Sequence, residues 1–192
     1  MRLLALIPLA LGLALSLPAQ AEILDIAVGD KSFQGRFSGP LPRVRDSGAQ
    51  YELGLLSRPD DEPVDLLQVH AGFLLTGDAG ARDVNLAAGL GGRLIYIDRD
   101  VVDGGVLALG GQFEAKLPQA DRVALSGYAF LAPGVTSAGD LDGYREAALD
   151  LAYEVIRGGS VYVGGRYIRH KYDQGGSATV DNGAHIGLRL KF

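Results

Sequence analysis

The chain has 192 residues, 47% hydrophobic and 21% charged, with 28 Gly, no Cys, no Trp and a formal net charge of −5. That apolar fraction excludes a disordered chain. The missing cysteines exclude a disulfide scaffold, Cys-ligated zinc and a thiol nucleophile, and the acidic balance gives no electrostatic footprint for nucleic acid. Gly is about twice as frequent as usual and needs a structural reason.

Residues 1–21 read as an export signal. Arg2 gives a positive start, Leu3 to Leu17 is an uncharged apolar run, and Pro18-Ala19-Gln20-Ala21 places small residues at −3 and −1 of a cleavage site after Ala21. The run is short for a membrane-spanning helix, which needs about 20 apolar residues. Cleavage would leave residues 22–192 as one exported domain. Every later apolar stretch is interrupted by a polar residue or Gly, so any passage through a membrane is expected to be by strands.

From residue 22 onward the pattern has period two, the mark of strands with one apolar face. Leu24, Ile26 and Val28 oppose Asp25 and Ala27 before a turn at Gly29-Asp30, and a strand centred on Phe33–Phe37 follows. Strands over Tyr51–Leu55 and Leu67–Leu75 come next. In the one after them, Leu86, Ala88, Leu90, Leu94 and Tyr96 oppose Asn85, Ala87, Gly89, Gly91 and Arg93. Leu107, Leu109, Gly111, Phe113 and Ala115 oppose Ala108, Gly110, Gln112, Glu114 and Lys116, and a weaker strand covers Val123–Leu131. Ala147, Leu149, Leu151, Tyr153 and Val155 oppose Glu146, Ala148, Asp150, Ala152 and Glu154. Val161, Val163, Gly165 and Tyr167 oppose Tyr162, Gly164, Arg166 and Ile168. In the last strand Ala184, Ile186, Leu188, Leu190 and Phe192 oppose Gly183, His185, Gly187, Arg189 and Lys191.

A soluble sandwich also alternates, but three features point to an up-and-down antiparallel transmembrane barrel. The small or charged face carries Glu146, Asp150, Glu154, Arg166, Arg189 and Lys191, which suit a small lumen in which charges pair. On the apolar face Tyr51, Phe73, Phe113, Tyr153 and Phe192 fall toward one rim, and Tyr96 and Tyr167 toward the other, as two interfacial girdles. Short connections (Leu117–Ala120, Arg157–Gly159) alternate with long ones (Ala132–Gly143, Asp173–Asn182). Ten strands satisfy the even count of single-chain barrels; eight is the alternative, with the Ile23–Ser38 region inside or outside the wall.

The final stretch, His185-Ile186-Gly187-Leu188-Arg189-Leu190-Lys191-Phe192, resembles the terminal signal read by barrel-assembly machinery, with Gly187, Leu190 and Phe192 as its marks. Several Gly-rich pieces carry a wider resemblance: Leu75-Thr76-Gly77-Asp78-Ala79-Gly80, Gly89-Leu90-Gly91-Gly92-Arg93-Leu94 and Asp103-Gly104-Gly105-Val106-Leu107-Ala108-Leu109-Gly110-Gly111. Ser160-Val161-Tyr162-Val163-Gly164-Gly165-Arg166-Tyr167 and Asp181-Asn182-Gly183-Ala184-His185 complete it. From about Leu66 to Phe192 the chain resembles the YfaZ family of small Gram-negative outer-membrane proteins. The resemblance implies an outer-membrane barrel and brings no substrate or catalytic residues.

Other motifs yield little chemistry. Gly89-Leu90-Gly91-Gly92 has strand on both sides and no helix after it, so it is no dinucleotide fingerprint. Such glycines are expected to make room in the lumen for a bulky partner such as Arg93 or Tyr162. Asp140-Leu141-Asp142-Gly143 and Asp98-Arg99-Asp100 start like calcium loops but carry Leu151 and Leu109 where an EF-hand has Glu. With Asp60-Asp61-Glu62 these acidic loops share the long-loop side, where they read as solvated charge or as cation bridges to lipopolysaccharide. His70 is expected in the lumen, His170 near the outer rim and His185 at the start of the last strand. A Ser177–His–Asp181 hydrolase site has no local motif behind it.

The expected protein is therefore a non-enzymatic outer-membrane barrel with a narrow or filled polar lumen, structural, adhesive or passing small solutes. No cofactor or metal is expected. The expected partners are outer-membrane lipid, lipopolysaccharide and the assembly machinery. A lipid-modifying hydrolase and a soluble periplasmic β-protein are the alternatives. The sharpest expectation is a register: the Gly158-Gly159 turn sets Arg166 opposite or diagonal to Asp150 and Ala152, within reach of an ion pair.

Overall fold

The computed structural model describes residues 22–42, 44, 47–59, 66–80, 84–99, 102–173 and 175–192. The export signal and the Asp60-Asp61-Glu62 loop lie outside these residues.

The alternating segments form β1 (Ile23–Gly29), β2 (Phe33–Pro40), β3 (Ala49–Arg58), β4 (Leu66–Asp78) and β5 (Asn85–Arg99). After them come β6 (Val102–Leu117), β7 (Ala120–Pro133), a three-residue β8 (Ser137–Gly139), β9 (Leu141–Ile156), β10 (Gly159–Tyr172) and β11 (Ser177–Lys191). Each strand pairs antiparallel with its chain neighbour, except that β9 pairs with β7 and β8 adds to the end of β6. The ring closes between β1 and β11, from Ile23↔Lys191 to Gly29↔His185. Beyond that ladder Glu22 and Phe192 exchange backbone hydrogen bonds of 2.9 and 3.0 Å. The wall thus has ten strands with β8 as an extra. The Leu24–Val28 segment is a wall strand, and the eight-strand alternative falls.

Closure removes the sheet edges, and each strand then has an inside and an outside. Leu53, Leu75, Leu90, Leu94, Leu109, Leu151, Val163 and Ile186 all point outward and are largely exposed. An apolar exterior belt of this kind has no place in water and matches the lipid face of a barrel. Ile23 and Lys191 mark the near end of the barrel; the opposite end is the far end. Tyr51 and Phe73 are directly paired toward the near end, where Phe113, Tyr153 and Phe192 also lie, and Tyr96 and Tyr167 stand toward the far end.

The connections alternate in length only in part. Residues 118–119 and 157–158 are two-residue turns at the near end, but the three-residue connection 30–32 is nearly as short at the other end of its strands. Gly158 adopts φ 76° to make its turn, a conformation that favours Gly. The two segments expected as long loops are largely ordered. The first holds a 3-10 turn (Gly134–Thr136) and β8, and much of the second belongs to β11, which starts at Ser177.

Glycine abundance has a packing cause. The His70 ring lies over Gly54 and the Tyr162 ring over Gly187, and a Cβ at either glycine would collide with the ring. Gly72 likewise abuts the Arg93 stem. Ten strands enclose little space, and bare backbone opposite a large side chain is how that space is shared.

Candidate functional site: the filled lumen

The interior divides into two layers. Toward the far end, inward-facing Leu56, Leu66, Ile95, Ile97, Val106, Phe130, Leu141, Tyr144, Ile168 and Val180 form one apolar cluster. Ile95, Phe130 and Ile168 of this cluster are 0% exposed. The expectation of a wholly polar lumen is corrected here. Parity sorts residues by face, and the far halves of β5, β6 and β7 are largely apolar on both faces, so the second face fills the interior.

Toward the near end the interior is charged. Arg93 is 0% exposed and sits at the boundary, its Nε 2.7 Å from Glu52 and its Nη1 3.1 Å from Glu146. Its guanidinium lies over the rings of Phe130 and Tyr128, at 3.8 and 4.7 Å from their centroids. Glu146 also accepts hydrogen bonds of 2.8 Å from the hydroxyls of Tyr128 and Tyr144, and Tyr144 accepts one of 2.9 Å from Gln68. A charge this deep persists only where paired and hydrogen-bonded, and Glu146 meets both conditions.

From Glu52 the network continues to the near rim. Glu52 touches His70 at 3.2 Å and Arg36 at 3.9 Å, and Arg36 reaches Asp25 at 3.4 Å. The ladder places Asp25 directly between Arg36 and Arg189, and Arg189 Nε donates to it at 2.8 Å. Tyr162 donates its hydroxyl to the same carboxylate. Arg189 also lies 3.7 Å from Glu114 and 3.8 Å from Asp150, and Asp150 holds His185 at 2.9 Å. At the rim Lys191 meets Glu114 at 3.2 Å, and Lys116 bridges Glu114 and Glu154 at 3.9 Å each. This connected system takes a side chain from every one of the ten wall strands. Below Arg93 it surrounds a cavity of about 310 Å³ open at the near end, lined by Asp25, Arg36, Glu52, Glu114, Asp150 and Arg189.

The anticipated network residues thus face inward, but one anticipated ion pair does not form. Arg166 stands opposite Ala148 and diagonal to Asp150, farther from Ala152 than expected because the register shifts between Gly159 and Ser160 after the turn. Arg166 turns toward the other neighbour. It grips Asp181 at 2.6 Å, Ser32 at 2.9 Å and Gln34, forming a separate cluster above Asp150. Glu154 and Lys191 belong to the half-exposed rim. Asp25, Arg36, Glu52 and Arg93 were not singled out as network members, although the same parity puts each of them inside.

The three marks of the terminal signal divide by face. Leu190 and Phe192 point outward, while Gly187 faces inward beneath Tyr162.

His70 faces the lumen as expected, whereas His185, expected at the start of the last strand, stands in the middle of β11, because that strand begins at Ser177. His70 and His185 each hold a carboxylate. His170 is buried in the apolar layer against Tyr144, with ring centroids 5.5 Å apart. The Ser177 hydroxyl accepts a 2.6 Å hydrogen bond from Arg169, and Asp181 is held by Arg166. Among the described residues no group of three or more His, Asp and Glu side chains is arranged to hold a metal ion.

A closed ring of antiparallel strands, apolar outside and filled with paired charge inside, defines an outer-membrane-type β-barrel. Residues 52–192 match the family model described as YfaZ precursor, and the chain belongs to that family. No curated protein matches it. Among solved structures, a NanC porin aligns over 90% of this chain and 100% of its own, at 12% identity and a TM-score of 0.48. The outer membrane phospholipase A from Escherichia coli aligns over 93% and 96%, at 12% identity and 0.46. A KdgM porin aligns over 90% and 99%, at 9% identity and 0.43.

Proposed function

We propose that the protein is exported by its N-terminal signal, cleaved after Ala21, and serves as a non-enzymatic integral outer-membrane barrel whose lumen is closed. On this reading the near end, which carries the two-residue turns at 118–119 and 157–158, faces the periplasm and the far end faces outward. The carrying observation is the fully buried Arg93, clamped between Glu52 and Glu146 beneath an apolar layer. A conducting pore needs a continuous polar path. Here ion pairs at mid-barrel and close-packed Ile, Phe and Val above them oppose one. A structural role in the membrane fits this interior better than passage of solutes. The engagement of Ser177 by Arg169 and of Asp181 by Arg166 speaks against the hydrolase alternative.

The test is conductance. Full-length protein refolded into a planar bilayer should give no defined current steps, while Arg93→Ala with Glu146→Ala should introduce leak. Steps in the unsubstituted protein would establish a channel and refute the closed lumen. Recovery of the native protein in the soluble periplasmic fraction, without heat-modifiable gel mobility, would refute the membrane reading itself.

A further inference from the structure

We propose that the far-end exterior between β7, β9, β10 and β11 is a binding site for the phosphate of a phosphorylated lipid headgroup, built on Arg145, Arg169 and Lys171. This rests on the membrane reading above.

Arg145 and Arg169 stand directly opposite each other on the β9–β10 ladder, both pointing outward and both exposed. Like charges placed directly across a ladder are destabilising, so the pair is maintained against its own repulsion. Among the described residues neither arginine has a carboxylate partner. Arg169 donates to Ser177, and Asp142, the acid that lines the groove described below, is taken by Lys171. Arg145, Arg169, Lys171 and Ser177 line a groove of about 550 Å³, with Pro133, Gly134 and Gly143 along its other side. The groove is therefore a concavity with a surplus of positive charge and a hydroxyl. Two guanidinium forks suit the tetrahedral oxygens of a phosphate, which each can bind bidentately.

The height of the groove selects a lipid-borne phosphate. Along the outside of β10, Val161, Val163, Gly165 and Tyr167 are followed by Arg169 and Lys171. From Val161 to Arg169 the strand climbs roughly 20 Å, at about 3.4 Å per residue and a tilt of about 40°, close to the height of an apolar barrel belt. Arg145 and Arg169 therefore mark the level at which hydrocarbon gives way to headgroups, with Tyr167 just beneath as the interfacial ring. Around the rim the sign reverses. Asp98 and Asp103 face each other on the outside of β5 and β6, so the basic groove is local to one flank.

The experiment uses the full-length protein refolded into phosphatidylcholine vesicles, with bis-phosphorylated lipid A or its dephosphorylated form mixed in. Retention of lipid on the detergent-extracted barrel is read by native mass spectrometry. Bis-phosphorylated lipid A should be retained at least about 10-fold more than the dephosphorylated form. Arg145→Gln with Arg169→Gln should abolish most of that difference while heat-modifiable mobility persists. Should the double variant fail to fold, Arg169→Gln alone supplies the reading. Removing equal charge at the near end, with Arg122→Gln and Arg157→Gln, should leave retention unchanged. Equal losses from both pairs of variants would make the effect one of overall charge and overturn the site. Pyrophosphate alone binding as tightly as the lipid would overturn the lipid assignment. A changed oligomeric state with unchanged lipid retention would also overturn the proposal, pointing to Asp98 and Asp103 of a second copy as the partner. All these readouts are made on protein already in lipid, so they are independent of where the cell places it.

Discussion

Replacing Arg93 with Met keeps much of the stem that packs against Gly72 and removes the charge that two buried carboxylates share. Glu52 retains His70 at 3.2 Å and Arg36 at 3.9 Å, so it is partly compensated. Glu146 retains only the hydroxyls of Tyr128 and Tyr144, neutral donors that cannot offset a full charge at 2% exposure. Stranding one member of a buried pair costs about 3–5 kcal/mol, and the residual partners of Glu52 argue for the lower half of that range. Adding Glu146→Gln removes the stranded charge and should recover about 1.5–3 kcal/mol, the coupling expected of side chains in contact. Urea unfolding in detergent, followed by the fluorescence of the 8 Tyr in a chain without Trp, measures each arm of the cycle. A loss below about 1 kcal/mol for Arg93→Met, or additivity of the two changes within about 0.5 kcal/mol, would show that the Arg93–Glu146 pair does not hold the barrel.

Arg166→Met should couple to Asp181→Asn and be additive with Asp150→Asn, since Arg166 grips Asp181 and Asp150 holds His185; coupling to Asp150 in a double-mutant cycle would show that Arg166 turns to its diagonal neighbour on β9 instead. Leu90→Arg, at a side chain 75% exposed midway along the belt, should destabilise the barrel in lipid by about 2–4 kcal/mol, read from unfolding in vesicles. Neutrality there would mean that this face does not meet hydrocarbon. Gly187→Ala should displace the Tyr162 ring from Asp25 at a cost of about 1–3 kcal/mol, and Tyr162→Phe in that background should add little further loss.

Which residues face inward was legible in the chain. Alternation is a property of the extended backbone alone, because successive side chains must point to opposite sides whatever the strand is paired with. Leu90 and Leu94 against Arg93, or Val163 against Arg166, therefore declare their faces before any partner is known. The two aromatic girdles follow from the same local rule, whereas the choice of ten strands over eight waited for the pairing of β1 with β11.

Which inward residues meet was not legible, for two reasons. A register shift between Gly159 and Ser160, and another between Ile168 and Arg169, move every later pairing, and neither shift has a sequence mark. Arg166 stands diagonal to both Asp150 and Asp181, and it meets only Asp181. The larger reason is curvature. Arg93 on β5 and Glu146 on β9 are 53 residues apart with two wall strands between them, and they touch only because the sheet closes and brings its inner faces together across a narrow lumen. Local geometry sets the side on which a residue stands. Closure of the ring sets what it finds there, and so decided that this interior is a charged network under an apolar layer.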